Sequence, residues 1–204
     1  MSSVHIDDLI RRYIILASER DNINLTYQAL LNTFRSKHKI LICGNGGSSA
    51  DADHWAAELL KGFAQKRPIS KNNIKELPNE LAQSLQCALP AIPLSAFTAL
   101  TSAYANDVDA QYVFAQLVFG LATEGDALVA ISTSGNSKNI LHALTTAKSL
   151  GVKCIGLTGK NGGKMRDLCD VCICVPEVET HKIQELHLPI YHTLSFMLED
   201  AFFG

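Results

Sequence analysis

The spacing of apolar residues changes several times along the chain, and it predicts helices alternating with short buried strands. Between residues 5 and 36, Ile6, Leu9, Ile10, Tyr13, Ile14, Leu16 and Ala17, then Leu25, Ala29, Leu30 and Phe34, recur at helical intervals. A polar break at Arg20-Asp-Asn22 divides them, so one or two N-terminal helices are expected. Five apolar runs read as strands, at 39–43, 91–94, 127–131, 152–157 and 171–175. Pro93 marks the second as an edge strand or an irregular end, and Pro176 ends the fifth. Helical spacing fills about 48–63, 76–87, 96–105, 109–122, 138–150 and 179–202, with Asn79 a cap for the second of these and Asn106-Asp107 a break after the third. Residues 66–73 read as a polar loop. Strands alternating with helices imply parallel crossovers and a three-layer α/β sandwich, in which ligands bind beyond the carboxyl ends of the strands.

Composition narrows this picture. A chain of 204 residues supports one substantial core, and no composition shift marks a linker. The formal net charge of −2 gives no reason to expect general nucleic-acid binding. The start, Met-Ser-Ser-Val-His-Ile-Asp-Asp, lacks a basic segment followed by an apolar one, and no apolar run approaches membrane-spanning length. A soluble, cytoplasmic protein is expected. Of the six cysteines, Cys169 and Cys172 form a single CxxC. It has no second pair and runs into a strand, so these read as small core or strand residues rather than a zinc site.

Two loops and one helix carry candidate chemistry. After the first strand comes Cys43-Gly-Asn45-Gly46-Gly47-Ser48-Ser49, then a helix with His54 and Glu58 on one face. Its glycines permit close backbone approach to a ligand, and Ser48 or Ser49 is expected to cap the helix. After the third strand, Ser132-Thr133-Ser134-Gly-Asn-Ser137 places four hydroxyls before a helix start, a cradle for an anion such as phosphate. The last helix carries Gln184 and His192 two turns apart, with His187 offset between them and Pro189 inside the pattern.

With these pieces in order, the chain resembles the sugar-isomerase (SIS) domain family, and within it the enzymes that isomerise a seven-carbon ketose phosphate. The resemblance rests on Cys-Gly-Asn-Gly-Gly-Ser with His54 and Glu58, Asn106-Asp107, Ile-Ser-Thr-Ser-Gly-Asn-Ser, Leu-Thr-Gly-Lys-Asn-Gly-Gly-Lys-Met, and Ile-Gln-Glu-Leu-His with His192. It implies one SIS domain over residues 1–204, with a five-stranded parallel sheet flanked by helices, an N-terminal helical segment over 1–37, and homotetramers with sites shared between subunits. It also implies roles. Asn45, Gly46 and Gly47 would contact the sugar. Asn106 and Asp107 would bind its hydroxyls, and Ser132, Thr133, Ser134 and Ser137 its phosphate. His54, Glu58, Gln184 and His192 match zinc-binding positions, and Glu58 and His192 match the acid/base pair.

Those residue types suit the implied reaction, conversion of sedoheptulose 7-phosphate to D-glycero-D-manno-heptose 7-phosphate for a surface glycan such as lipopolysaccharide. One group must take a carbon-bound proton and another must move protons on oxygen, and the sequence leaves open which of Glu58 and His192 does which. Zinc on nitrogen and oxygen donors with an open position would polarise the carbonyl. Residues of about 70–89 are an insertion relative to the family pattern, which puts the particular sugar in question. The competing readings are an isomerase of another phosphosugar, a non-catalytic SIS protein that binds a protein partner, and a sugar-phosphate-sensing regulator. Retention of His54, Glu58, Gln184 and His192 favours the enzyme, and residues 1–38 are too short to supply a DNA-binding domain.

Overall fold

A computed structural model describes residues 2–69 and 77–204. Its sheet contains β1 (Ile40–Gly44), β2 (Ala91–Pro93), β3 (Ala127–Ser132), β4 (Lys153–Thr158) and β5 (Val171–Cys174). All pair in parallel, in the order β2-β1-β3-β4-β5. The three central strands are buried along almost their whole length because helices cover both faces, which is why they read as unbroken apolar runs. Side chains alternate between two cores. Ile40, Ile42, Val129, Ile131, Ile155 and Leu157 point into one, which is shared with α1 (Ser2–Arg12), α2 (Arg20–Arg35), α3 (Gly47–Leu60) and α8 (Thr180–Phe203). Leu41, Cys43, Leu128, Ala130 and Cys154 point into the other, beneath α6 (Val113–Leu121) and α7 (Lys138–Ser149). Each large apolar side chain sealed in this way contributes about 1.5–3 kcal/mol of transfer free energy.

The chain leaves β1 for β2 on one side and returns to β3 on the other, so the winding reverses between β1 and β3. The loops at the carboxyl ends of those two strands therefore splay apart and leave a crevice. Both motif loops of the sequence lie there.

The structure shifts several sequence expectations. The N-terminal break falls at Tyr13, not at Arg20-Asp-Asn22. A 3₁₀ segment, Ile14–Glu19, follows it, and α2 begins at Arg20. Tertiary contacts decide the position: buried Glu19 accepts from Asn22 Nδ2 at 2.9 Å and from the backbone N–H of Cys174 at 3.0 Å, tying the segment to edge strand β5. The third helix starts at Gly47, with Gly46 at φ +56° in the cap position, so neither Ser48 nor Ser49 caps it. Asn106-Asp107 does not break its helix. The helix α5 (Thr98–Tyr104) runs on through a π-helical turn, Ala105–Asp109. Pro93 sits in edge strand β2 as expected.

Of the expected insertion, residues 70–76 lie outside the described residues. The remainder forms α4 (Asn79–Ser84), which starts after Pro78, so Asn79 is its first residue and not its cap. The segment then returns to the end of α3: Gln86 Oε1 accepts from Gly62 N at 2.9 Å, and Cys87 N donates to Arg67 O at 2.7 Å. Cys169 and Cys172 belong to the packing. With Met165 they crowd the space over Gly156, where a β-carbon would come within 2.8 Å of Cys172 Sγ. Hydrogen bonding from Cys169 pushes the Cys172 thiol up to about 12, with burial adding to it, so it stays protonated.

Candidate active site

Glycines seat the first loop. A β-carbon on Gly44 would meet Ser48 O at 2.3 Å, and one on Gly47 would meet Gln184 Nε2 at 2.7 Å. Only glycine lets α8 lay the Gln184 amide on the start of α3. Across the crevice, Asn45 and Asn139 exchange two hydrogen bonds, Nδ2 to Oδ1 each way, at 3.0 and 2.8 Å. Asn139 lies in the first turn of α7 and joins the two motif loops; the sequence reading passed over it.

The hydroxyl loop after β3 is braced by the loop after β4. Gly135 has φ +64°, and a β-carbon there would sit 2.0 Å from Gly162 O. Gly159 N donates to Thr133 O at 3.1 Å, Met165 N to Gly135 O at 3.0 Å, and Lys164 N to Asn136 Oδ1 at 3.1 Å. Ser132 Oγ and Ser137 Oγ lie 3.2 Å apart, and α7 starts at the next residue. Hydroxyls and a helix start thus lie together, an arrangement of the kind that can receive an anion. A cavity of about 270 Å³ opens beside it, lined by Thr133, Ser134, Asn136, Lys160, Glu177 and Ile183.

The titratable residues gather further along α3, where α8 runs beside it. His54 Nε2 is 3.1 Å from Glu58 Oε1, and Lys61 Nζ is 3.3 Å from Glu58 Oε2. The His192 ring stands edge-on to His54 with centroids 5.2 Å apart, and Phe63 covers it at 5.2 Å. His192 Nε2 is buried and has no hydrogen-bond partner among the described residues. Burial and the adjacent His54 ring hold the His192 pKa below the ordinary imidazole value, with Glu58 opposing, so the ring is neutral near pH 7. Behind His54, Tyr191 Oη lies 2.8 Å from Nδ1 and 3.4 Å from Asp51 Oδ1. Neither Asp51 nor Tyr191 was singled out from sequence. Their only signals are position, three residues before His54 and one before His192.

The structure thus joins His54, Glu58 and His192 in one group and Asn45, Gly47, Gln184 and Asn139 in another. Gln184 lies about 12 Å along α8 from His192. Asn106 and Asp107 sit on the exposed π-helical turn, bonded to each other at 2.8 Å. His187 turns away into the core: it is fully buried, with Nε2 3.4 Å from Thr158 O. Burial pushes its pKa down to about 4 from 6.5, with the Thr158 carbonyl opposing. The unfolded chain therefore binds this proton more readily. The neutral ring contributes stability that is complete above pH 6.5 and is lost as pH falls to about 4, on the order of 3 kcal/mol. Urea unfolding should show that loss between pH 7 and pH 4, and His187→Phe should flatten it.

Two imidazoles and a carboxylate suit a zinc-like ion, and His192 Nε2, without a partner among the described residues, is a donor atom such an ion would bind. Among the described residues, no three His, Cys, Asp or Glu side chains already converge at metal-binding distance, and His54 Nε2 contacts Glu58 itself.

Sequence models described as SIS domains match residues 7–89 and 95–199. The chain is 43% identical over 172 residues to the phosphoheptose isomerase of Nitratiruptor sp., covering 84% of this chain and 82% of that protein. It is 38% identical over 206 residues to that of Helicobacter pylori strain P12, covering 97% of each. The solved structure of phosphoheptose isomerase from Neisseria gonorrhoeae superposes with a TM-score of 0.78 at 31% identity, over 97% of this chain and 96% of the other. The Francisella tularensis enzyme gives 0.78 at 30% identity, with the same shares. A parallel five-stranded sheet with its crevice between β1 and β3, a hydroxyl-lined loop beside it, and similarity across nearly the whole length agree: the chain belongs to the phosphoheptose isomerase family of SIS-domain proteins.

Proposed function

We propose that the protein converts sedoheptulose 7-phosphate to D-glycero-D-manno-heptose 7-phosphate, feeding heptose to a surface glycan such as lipopolysaccharide. The observation that carries this reading is the meeting of Glu58, His54 and neutral His192 on α3 and α8, about two turns from the crevice that holds the anion loop. From Gly47 to His54 is about 10 Å along α3, the scale of an extended seven-carbon chain ending in phosphate.

In this reading Ser132, Thr133, Ser134 and Ser137 hold the phosphate, with Asn45 and Gln184 along the chain of hydroxyls. Asn106 and Asp107 reach the sugar only if the exposed turn faces a site completed by a neighbouring subunit. The Glu58 carboxylate takes the proton from C1 of the ketose, leaving an enediolate. His192, neutral, accepts on one ring nitrogen and donates from the other, so it carries a proton from the oxygen on C1 to that on C2. Glu58 then returns its proton to C2, giving the aldose. A zinc ion held by His54, Glu58 and His192 would polarise the carbonyl when bound.

A homotetramer fits the same reading. Val108, Tyr112 and Phe119 near α5 and α6, and Val4, Ile14, Ile15 and Leu25 on the N-terminal helices, are exposed apolar groups in the single chain. A cytoplasmic setting goes with six free cysteines, and none of the described helices is long and apolar enough to cross a membrane.

The deciding experiment is incubation of the protein with sedoheptulose 7-phosphate, with and without a chelator, followed by NMR. Aldose signals that grow with time support the activity, and their loss on chelation with recovery on added zinc supports the metal. No aldose under either condition, with zinc supplied, overturns the reading.

A further inference from the structure

Asn45 and Asn139 come from opposite walls of the crevice, one from the turn after β1 and the other from the first turn of α7. Their side-chain amides each donate to and accept from the other, at 3.0 and 2.8 Å. Turning over one amide alone would set N–H against N–H and oxygen against oxygen. Turning over both would keep the pair, but it would bring Asn139 Nδ2 against the backbone N–H of Ile140. That N–H lies 3.0 Å from Asn139 Oδ1 and is shared with Ser137 O at 3.1 Å. The start of α7 therefore orients Asn139, and Asn139 orients Asn45. A side-chain amide has two N–H groups and two oxygen lone pairs. The pairing uses one of each on Asn45 and leaves one of each, the two kinds of group that sugar hydroxyls answer. The pair is exposed and so is open to a ligand in the crevice.

We propose that Asn139 is a positioning residue: it fixes the Asn45 amide in this one orientation and thereby sets affinity for the hydroxylated chain of the substrate, leaving the phosphate to the loop at 132–137. This role rests on reading the crevice as a sugar-phosphate site. An amide already oriented has little side-chain freedom left to lose when the sugar arrives, whereas an Asn45 released from Asn139 must be ordered by the substrate. The pair lies about two turns of α3 from His54, so it serves bound substrate and transition state alike, and its loss falls on KM rather than kcat.

The test is calorimetric titration of the full chain with sedoheptulose 7-phosphate and, separately, with inorganic phosphate, beside steady-state kinetics with the sugar phosphate. Asn139→Ala should weaken binding of the sugar phosphate and raise KM about 5- to 30-fold, with kcat within about threefold of the unaltered protein. Inorganic phosphate, which has no sugar chain to present to Asn45, should bind within about twofold of its original affinity. Asn45→Ala should reproduce the loss, and the double variant should bind the sugar phosphate within about twofold of Asn45→Ala alone, because Asn139 acts through Asn45. An Asn139→Ala protein that binds the sugar phosphate unchanged overturns the proposal. So does one that loses inorganic phosphate to the same degree, which would mean that Asn139 only holds the start of α7, and so does a double variant that loses the product of the two single effects. A protein that shows the expected binding pattern but forms no aldose refutes the isomerase reading alone, and one that binds no sedoheptulose 7-phosphate refutes both.

Discussion

Glu58→Gln should lower kcat for sedoheptulose 7-phosphate by about 10²- to 10⁴-fold, the usual contribution of a positioned proton-transfer group. The amide has the shape of the carboxylate and stays within reach of His54 and Lys61, so α3 and the crevice keep their form. What it lacks is the basicity to take a proton from carbon. The Glu58 side chain is 12% exposed and bound on both oxygens, at 3.1 Å by His54 and at 3.3 Å by Lys61, which holds it at one place on the site wall. The loss should fall on kcat with KM nearly unchanged, as expected for an interaction used in the transition state. Unfolding free energy should stay within about 1 kcal/mol of the unaltered protein, since the neutral side chain removes a charge that is partly solvated. Deuterium exchange from solvent into C1 gives a second readout, which should vanish together with turnover. A variant retaining more than about a tenth of kcat would remove Glu58 from the proton-transfer role.

Much of this site was legible because its chemistry is local in sequence. His54 and Glu58 sit four apart on one helix, and that spacing alone brings their side chains together. The hydroxyls at 132–137 crowd one loop at the end of an apolar strand, so sheet topology suffices to place them. Strands buried on both faces could hardly be misread. Where the reading fell short, long-range contacts had the decision. The Tyr191–Asp51 bond joins residues 140 apart in the chain, and nothing in either neighbourhood announces it. The resemblance grouped Gln184 and His192 of α8 as one ligand set, yet Gly47, having no β-carbon, leaves room for the Gln184 amide at the start of α3, two turns from His192. The N-terminal break moved because Glu19 is needed at β5, a demand that local periodicity cannot register.

Arg67→Met should cost about 3–5 kcal/mol of stability, a large share of the roughly 5–15 kcal/mol that holds a domain of this kind. Arg67 and Glu199 are both completely buried, with Arg67 Nε 2.7 Å from Glu199 Oε1. The guanidinium also donates to Leu59 O at 2.8 Å and Glu58 O at 3.2 Å, satisfying carbonyls that the end of α3 leaves open. Glu199 accepts from Phe63 N and Ala64 N at 2.8 Å each and from Gln65 N at 3.2 Å, folding the turn after α3 onto α8. Burial pushes the Glu199 carboxyl up, but those N–H bonds and the Arg67 charge outweigh it and hold it below its ordinary 4.5. Its contribution is therefore complete above about pH 4.5 and is lost as pH falls further. Removing the arginine leaves the buried Glu199 charge without its counter-ion and takes one donor from each of three acceptors, Glu199 Oε1, Leu59 O and Glu58 O. Pairing Arg67→Met with Glu199→Gln removes both charges, so urea unfolding should show the double variant losing less than the sum of the two single losses, by 1 kcal/mol or more. The effect should reach the site as well. Phe63 covers the His192 ring from the turn that Glu199 holds, so loosening that turn admits water beside His192 and lowers kcat even in protein that remains folded. An Arg67→Met protein within about 1 kcal/mol of the original would mean that this ion pair is not what joins α3 to α8.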